Sequence, residues 1–296
     1  MIKTVAFIGI GVMGYPMTSH LMDAGYNVKV YNKTPSKCDG LVQKGATLAS
    51  SLQDAAKDVD IIFTMLPNEN VIHEVILGER GLASAAKKGC IISNTSTVSP
   101  NSNIKLGQEL QKYDIKLLDS PVTGSGIQAK DASLLFIVSG NEAAYNEVLP
   151  LYRVMGVDAI YAGAAIGAAS YAKVCSNAMM AINMLSFSEA VVMAKKAGVD
   201  PQVFVKFCAG GGPRSAVADK KVGKIVNRDF SPAFRTALMH KDTKLAAQIA
   251  DEFKIPTPAL NLAKEMFHLA CTEGYSDDDI CALVKCYEKW ADIEVV

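Results

Sequence analysis

Val5-Ala6-Phe7-Ile8-Gly9-Ile10-Gly11-Val12-Met13-Gly14-Tyr15-Pro16-Met17 opens the chain with an apolar strand, a glycine-punctuated loop and the start of a helix. The helix is expected over Met13–Ala24, closed by Gly25. Each glycine has its own task in such a unit. Gly9 permits the tight turn, Gly11 lets the backbone approach a pyrophosphate, and Gly14 lets the helix pack close to the strand. The helix N-terminus then offers N–H groups and partial positive charge to the phosphates. Gly9, Ile10, Gly11, Val12, Met13 and Gly14 are therefore the expected dinucleotide contacts. The spacing alone is weak; the strand before it and the helix after it give it weight.

Working outward, the first half alternates β-rich runs with helical patterns. Val5–Ile8, Asn27–Tyr31, Asp60–Met65, Cys90–Asn94, Lys116–Asp119, Leu134–Ser139 and Asp158–Tyr161 read as strands. Met13–Ala24, Pro35–Lys44, Ser51–Lys57, Ile72–Leu77, Asn101–Tyr113 and Asn141–Leu151 read as helices. Alternation of this kind predicts a mostly parallel α/β sheet covered on both faces, a Rossmann-type domain over residues 1–162. The character changes at about residue 163. Ala164–Gly198 has no proline, is dense in Ala, Met, Leu and Val, and reads as one long helix of about 50 Å. A helix apolar on most sides must be covered on most sides. It is expected to lead into an all-helical domain, residues 163–296, and to build a subunit interface in a homodimer or homotetramer.

Composition narrows the partners. The 296 residues are half apolar and carry 30 basic and 30 acidic side chains, so no charge excess asks for nucleic acid. No run reaches the roughly 18 uncharged apolar residues of a membrane span. The N-terminal apolar stretch is too short for a secretory signal. Seven scattered cysteines form no Cys-x-x-Cys and do not cluster with the four histidines, so neither a metal site nor a disulfide framework is indicated. A cytoplasmic protein is the expectation.

The end of the second strand bears on the choice of nucleotide. An acidic residue there would bind the adenosine ribose hydroxyls and repel a 2′-phosphate. This chain has Asn32-Lys33-Thr34 instead: neutral, cationic and hydrogen-bonding. NADP is the expected cofactor, with NAD possible.

Three further stretches suggest chemistry. Lys173 and Asn177 are four apart on the long apolar helix and so share a face, and a lysine there needs a partner or a task. Asp119-Ser120-Pro121-Val122-Thr123-Gly124-Ser125-Gly126 offers hydroxyls and approachable N–H groups suited to a carboxylate. Ser93-Asn94-Thr95-Ser96-Thr97 lies at the carboxyl end of a strand, the edge where such sheets bind ligands, which makes Ser96 a candidate substrate contact. Arg214, after Gly210-Gly211-Gly212-Pro213, could reach a second anionic group; Cys175 reads as a packing residue and His240 as a hydrogen-bonded structural one.

Taken in order, these stretches resemble the β-hydroxyacid dehydrogenases, the family of 3-hydroxyisobutyrate dehydrogenase and tartronate semialdehyde reductase. The matching runs are Gly9 through Met17, Met65-Leu66-Pro67, Ser96-Thr97, Asp119 to Ser125, the Lys173/Asn177 pair, and His240-Lys241-Asp242-Thr243-Lys244-Leu245-Ala246. The resemblance implies a 6-phosphogluconate dehydrogenase-like arrangement: a Rossmann domain, a long interdomain helix and an all-α C-terminal domain. It implies hydride transfer between a nicotinamide and a short 3-hydroxy acid or its semialdehyde. Lys173 would be the acid/base and Asn177 would help hold the substrate. Thr123 and Gly124, with Ser125 beside them, would bind its carboxylate. Leu66, Pro67 and Thr97 would contact the cofactor, and Lys241 would close over the nicotinamide.

Departures from the family pattern bear on the substrate. Ala164 and Ala169 stand where glycine is usual, and Thr123 and Ser125 replace the commoner Ser and Gly. Asn32-Lys33-Thr34 looks like the NADPH-using glyoxylate and succinic semialdehyde reductase branch. A short-chain 6-phosphogluconate dehydrogenase would have histidine in place of Ser176, and imine reductases usually lack the lysine. The reading from a different class is a catalytically idle cofactor-binding scaffold.

Overall fold

The computed structural model describes residues 2–296, which form two compact units dividing after Lys173. In the first unit, β1 (Thr4–Ile8) shows why the stretch is a strand: Val5, Ala6, Phe7 and Ile8 are all buried. A strand's side chains alternate in direction, so a strand covered on both faces has no polar side. Val5 and Phe7 pack with Met17, Leu21 and Tyr152 on one face; Ala6 and Ile8 pack with Ile62, Ile72 and Leu106 on the other.

Parallel pairing joins β1 to β2 (Asn27–Tyr31) and β4 (Ile61–Thr64), β2 to β3 (Thr47–Leu48), β4 to β5 (Ile91–Asn94), and β5 to β6 (Lys116–Asp119). The resulting order β3-β2-β1-β4-β5-β6 puts its reversal between β1 and β4, where doubly wound sheets open a crevice at their carboxyl ends. Beyond β6 the pattern changes. β8 (Leu134–Gly140) runs antiparallel to β6 and to β7 (Val122–Thr123), and parallel to β9 (Gly156–Tyr161).

The covering helices are α1 (Gly14–Asp23), α2 (Asp39–Gln43), α3 (Leu52–Ala56), α4 (Glu69–Leu77), α5 (Pro100–Leu110), α6 (Gly126–Lys130) and α7 (Glu142–Met155). The expected helix over Pro35–Lys44 is a 3-10 turn, Pro35–Cys38, followed by the short α2. Helix α4 starts before the expected Ile72 because Asn68 caps it, its Oδ1 accepting from Val71 N at 3.0 Å.

The long helix α8 spans Ala168–Lys196, 29 residues, so it begins four residues later than expected. Gly167 has φ +97°, which a right-handed helix cannot continue through, and Gly198 at φ +88° closes the other end. By length and composition α8 could cross a membrane, yet half of its most apolar stretch is buried within the protein. The first unit ends inside α8 and the second begins there. The second unit is otherwise helical: α9 (Pro201–Cys208), α10 (Ala216–Val226), α11 (Thr236–Glu252), α12 (Pro258–Ala270) and α13 (Leu283–Ala291). Its core gathers Ala181, Met184, Met239, Phe267 and Leu283. Asp279, in the Asp277-Asp278-Asp279 run, is fully buried, ion-paired to Lys221 at 2.6 Å, and caps a short 3-10 turn.

Candidate cofactor and catalytic site

The glycine loop hangs between two strand ends. Gly9 N donates to Tyr31 O at 3.0 Å, and Met65 N donates to Ile8 O at 2.9 Å. Gly9 has φ +99°, and a Cβ there would sit 2.2 Å from the Met65 carbonyl oxygen. A Cβ on Gly14 would sit 2.1 Å from the Gly9 oxygen, so helix and strand touch as the sequence requires. A Cβ on Gly11 would meet nothing within 4 Å. Gly11 and Val12 are exposed, and no side chain caps α1 at Met13. An open glycine rim beside an uncapped helix N-terminus fits a dinucleotide pyrophosphate.

Around this loop the carboxyl edge of the first unit collects the other expected residues. Asn32 accepts from Ile10 N at 3.0 Å and donates to Thr34 O at 2.9 Å, while Lys33 and Thr34 are exposed. Leu66 and Pro67 follow β4; Leu66 N donates to Ser96 Oγ at 2.8 Å. Ser96 is 1% exposed, so its observed task is to hold that turn, where a substrate contact was expected. Thr97 is half-buried. Thr123 and Gly124 are exposed, with Gly124 at φ +133°. Gly126 lies against Val12, since a Cβ there would come within 2.7 Å of Val12 Cγ1. The candidate carboxylate loop and the cofactor loop are therefore neighbours. Ser125 is engaged locally: its hydroxyl and amide both donate to Gln128 Oε1 as it caps α6.

Beneath this edge lies a buried polar chain that the sequence reading did not find. Thr64 Oγ1 donates to Asn94 Oδ1 at 3.0 Å, Asn94 Nδ2 to Asn103 Oδ1 at 2.9 Å, and Asn103 Nδ2 to Asp119 Oδ1 at 2.9 Å. Asp119 also accepts from the Ser170 hydroxyl at 2.8 Å and the Ser170 amide at 3.0 Å. Burial pushes its carboxyl up to about 6, against the pull of hydrogen bonds from Ser170, Gly167 and Asn103. Lys173, half-buried, comes three residues after Ser170 on the same helix.

In the second unit, Asn177 is 3% exposed and its Nδ2 donates to Asp242 Oδ2 at 2.6 Å. Lys241 Nζ stands 3.2 Å from Asp242 Oδ1, an ion pair without hydrogen-bond alignment. His240 stacks on His268 at 4.9 Å, and burial lowers its pKa. Arg214 is exposed and paired with Asp219 at 3.4 Å. Cys175, expected to pack, is exposed: the apolar sequence around it does not reveal which side of α8 faces out.

Comparison with known proteins agrees with this geometry. The family model of the NAD binding domain of 6-phosphogluconate dehydrogenase matches residues 4–163. The model described as the NAD-binding domain of NADP-dependent 3-hydroxyisobutyrate dehydrogenase matches residues 167–287. A 2-(hydroxymethyl)glutarate dehydrogenase of Eubacterium barkeri is 31% identical over 98% of this chain and 97% of its own. An NAD-dependent L-serine dehydrogenase of Pseudomonas aeruginosa is 32% identical over 97% of this chain and 98% of its own. A solved Mycobacterium tuberculosis 3-hydroxyisobutyrate dehydrogenase with L-serine superposes at TM-score 0.89, with 28% identity over 97% of this chain and 99% of that one. Fold and relatives together define a nicotinamide-dependent dehydrogenase. The chain belongs to the β-hydroxyacid dehydrogenase family and is an NAD(P)-dependent oxidoreductase acting on CH–OH groups.

Proposed function

We propose that this enzyme interconverts short β-hydroxy acids and their semialdehydes with a preference for NADP(H), using Lys173 as the acid/base. The observation that carries the reading is the seat of Lys173. It stands three residues after Ser170 on the same helix, and Ser170 is bonded to the carboxyl end of β6. The same sheet edge holds Gly9–Gly14, Leu66–Pro67 and Thr123–Ser125.

When bound, the nicotinamide supplies or accepts the hydride. Protonated Lys173 gives its Nζ proton to the carbonyl oxygen in reduction, and neutral Nζ takes the hydroxyl proton in oxidation. Asn177, its amide held in one orientation by Asp242, orients that hydroxyl. Thr123 and the Gly124 amide hold the carboxylate, and Ser125 shapes their loop. Leu66, Pro67 and Thr97 contact the cofactor, with Ser96 supporting Leu66.

The relatives named for 2-(hydroxymethyl)glutarate and L-serine share a primary alcohol one carbon from a carboxylate-bearing carbon, which supports a substrate of that class. NADP preference is supported by the neutral Asn32 and the exposed Lys33 and Thr34. One relative is NAD-dependent, so both cofactors belong in the assay. The described cysteines are all free thiols, which supports a cytoplasmic location. Met179 and Met193 on α8, 64% and 72% exposed, support a homodimer or homotetramer.

The test follows NADPH and NADH absorbance against a panel of short semialdehydes bearing a carboxylate. Lys173→Ala is expected to bind NADPH normally and lose at least about two orders of magnitude in kcat. Near-normal turnover by that variant, or binding of cofactor with no turnover of any semialdehyde by the wild type, would refute the reading.

A further inference from the structure

The first amides of any α-helix lack partners within the helix and must find them elsewhere. At the start of α8 they find side chains from strand ends. Ala169 N donates to Ser139 Oγ at 3.1 Å, on β8. Ser170 N donates to Asp119 Oδ2 at 3.0 Å, on β6. Asp119 thus caps a helix that begins about fifty residues further along the chain.

The cap fixes more than the existence of a helix. Asp119 takes Ser170 by two atoms, hydroxyl to Oδ1 and amide to Oδ2, which sets both the rotation and the height of that turn. Asn103, on α5, pins Oδ1 from another side. Donation then runs in one direction, from Thr64 to Asn94 to Asn103 to Asp119, so each amide has one allowed orientation. Asn94 Oδ1 also accepts from Ser96 N at 3.2 Å, and Ser96 Oγ holds Leu66 N. The Leu66 turn and the Ser170 turn are two ends of one buried network. Keeping a carboxylate at its centre costs free energy, as its raised pKa reflects, but only a carboxylate offers these donors an acceptor on both oxygens.

We propose that Asp119 is a positioning residue for Lys173: through Ser170 it sets the lysine in register with the Leu66–Pro67 turn. The proposal rests on Lys173 being the acid/base. Neither Asp119 nor Ser170 touches substrate in this role; both act through the placement of Nζ.

Asp119→Asn keeps the shape and turns one oxygen into an NH2 facing a donor. Ser170→Ala removes one donor and leaves the carboxylate its other partners. At a temperature where each variant is folded, NADPH affinity is expected to stay within about threefold of wild type. The kcat of Asp119→Asn should fall roughly tenfold to a hundredfold, a loss of about 1.4–2.7 kcal/mol in transition-state stabilisation, with KM changing much less. Ser170→Ala should lose about threefold to tenfold, and it carries the test if Asp119→Asn does not fold. Amide exchange over residues 168–173 should speed up in both. Added to Lys173→Ala, Asp119→Asn should cost no further kcat, because it acts through the lysine. If Lys173→Ala loses turnover while Asp119→Asn and Ser170→Ala keep kcat within twofold and lower only the melting temperature, the positioning role is overturned. Full turnover by Lys173→Ala would instead sink the acid/base reading itself.

Discussion

Ile10 N donates to Asn32 Oδ1 at 3.0 Å, tying the middle of the glycine loop to the end of β2. The other end of the same amide donates to the Thr34 carbonyl at 2.9 Å, so the Asn32 side chain has one orientation. A neutral residue held this way serves the loop first, and excludes a carboxylate from the place where an adenosine ribose would lie.

Asn32→Asp keeps the acceptor for Ile10 but sets a second oxygen against the Thr34 carbonyl and adds a negative charge. The ratio of kcat/KM for NADPH to that for NADH is expected to fall by about tenfold or more, equivalent to about 1.4 kcal/mol. Initial rates with both cofactors measure it, and an unchanged ratio removes Asn32 from the basis of selectivity.

Two glycine substitutions in one loop should have opposite signatures. Gly14→Ala places a methyl 2.1 Å from the Gly9 oxygen, so it should destabilise the fold by about 1–3 kcal/mol and lower the melting temperature. Gly11→Ala meets nothing within 4 Å, so the melting temperature should hardly move. Its methyl would instead occupy the space meant for the pyrophosphate, and NADPH affinity should drop at least about tenfold by fluorescence titration. Undiminished affinity would place the phosphates elsewhere.

Asp242 accepts from Asn177 at 2.6 Å inside the second unit. Asp242→Ala leaves that buried amide without its acceptor, a loss of the order of 1–3 kcal/mol. If Asn177 orients the reacting hydroxyl, kcat/KM should fall by about tenfold or more while Asn177→Ala in the same background adds little. Full additivity of the two losses would show that they act separately.

Asp60 bears on acid stability. Burial raises its pKa, but hydrogen bonds from Lys3 N, Lys87 Nζ and Thr4 N outweigh this and hold it at about 2. An unfolded aspartate titrates near about 3.9. Between these values the unfolded chain binds the extra proton, so this contribution is present above about pH 4 and is lost as pH falls towards 2. Asp60→Asn should therefore be less stable than wild type at pH 7, by an amount on the order of 2 kcal/mol. Urea titrations from pH 7 to pH 3 should show that gap narrowing with acid; a gap independent of pH would contradict the assignment.

Much of the fold is legible in the sequence where short-range pattern is sufficient. β2 and β6 occur over the expected residues, and the glycine loop stands between its strand and helix. β3 and β7 are two residues each, too short for an alternating pattern, and were not expected. The late start of α8 turns on the backbone of Gly167, where alanine and glycine neighbours give no warning of a left-handed residue. The candidate site was legible as residue types, since a lysine and an asparagine on an apolar helix are conspicuous. Its supports were not. Asp119 and Ser170 are 51 residues apart, and only folding brings the carboxylate to the helix start. Ser96 and Ser125 read as contacts because hydroxyls suit ligands, whereas in the structure they hold a turn and cap a helix.

The cap at Ser170 has a consequence for which changes this region can accept. Each helical residue advances about 1.5 Å and turns about 100°. Between the anchored Ser170 and Lys173 lie only Tyr171 and Ala172. Replacing either leaves the number of residues, and so the turn of helix between Ser170 and Lys173, unchanged. Inserting or deleting one residue would swing the Lys173 side chain about a quarter of the way round the helix, with the sheet undisturbed. Over this short span, the number of residues is under tighter constraint than their identity.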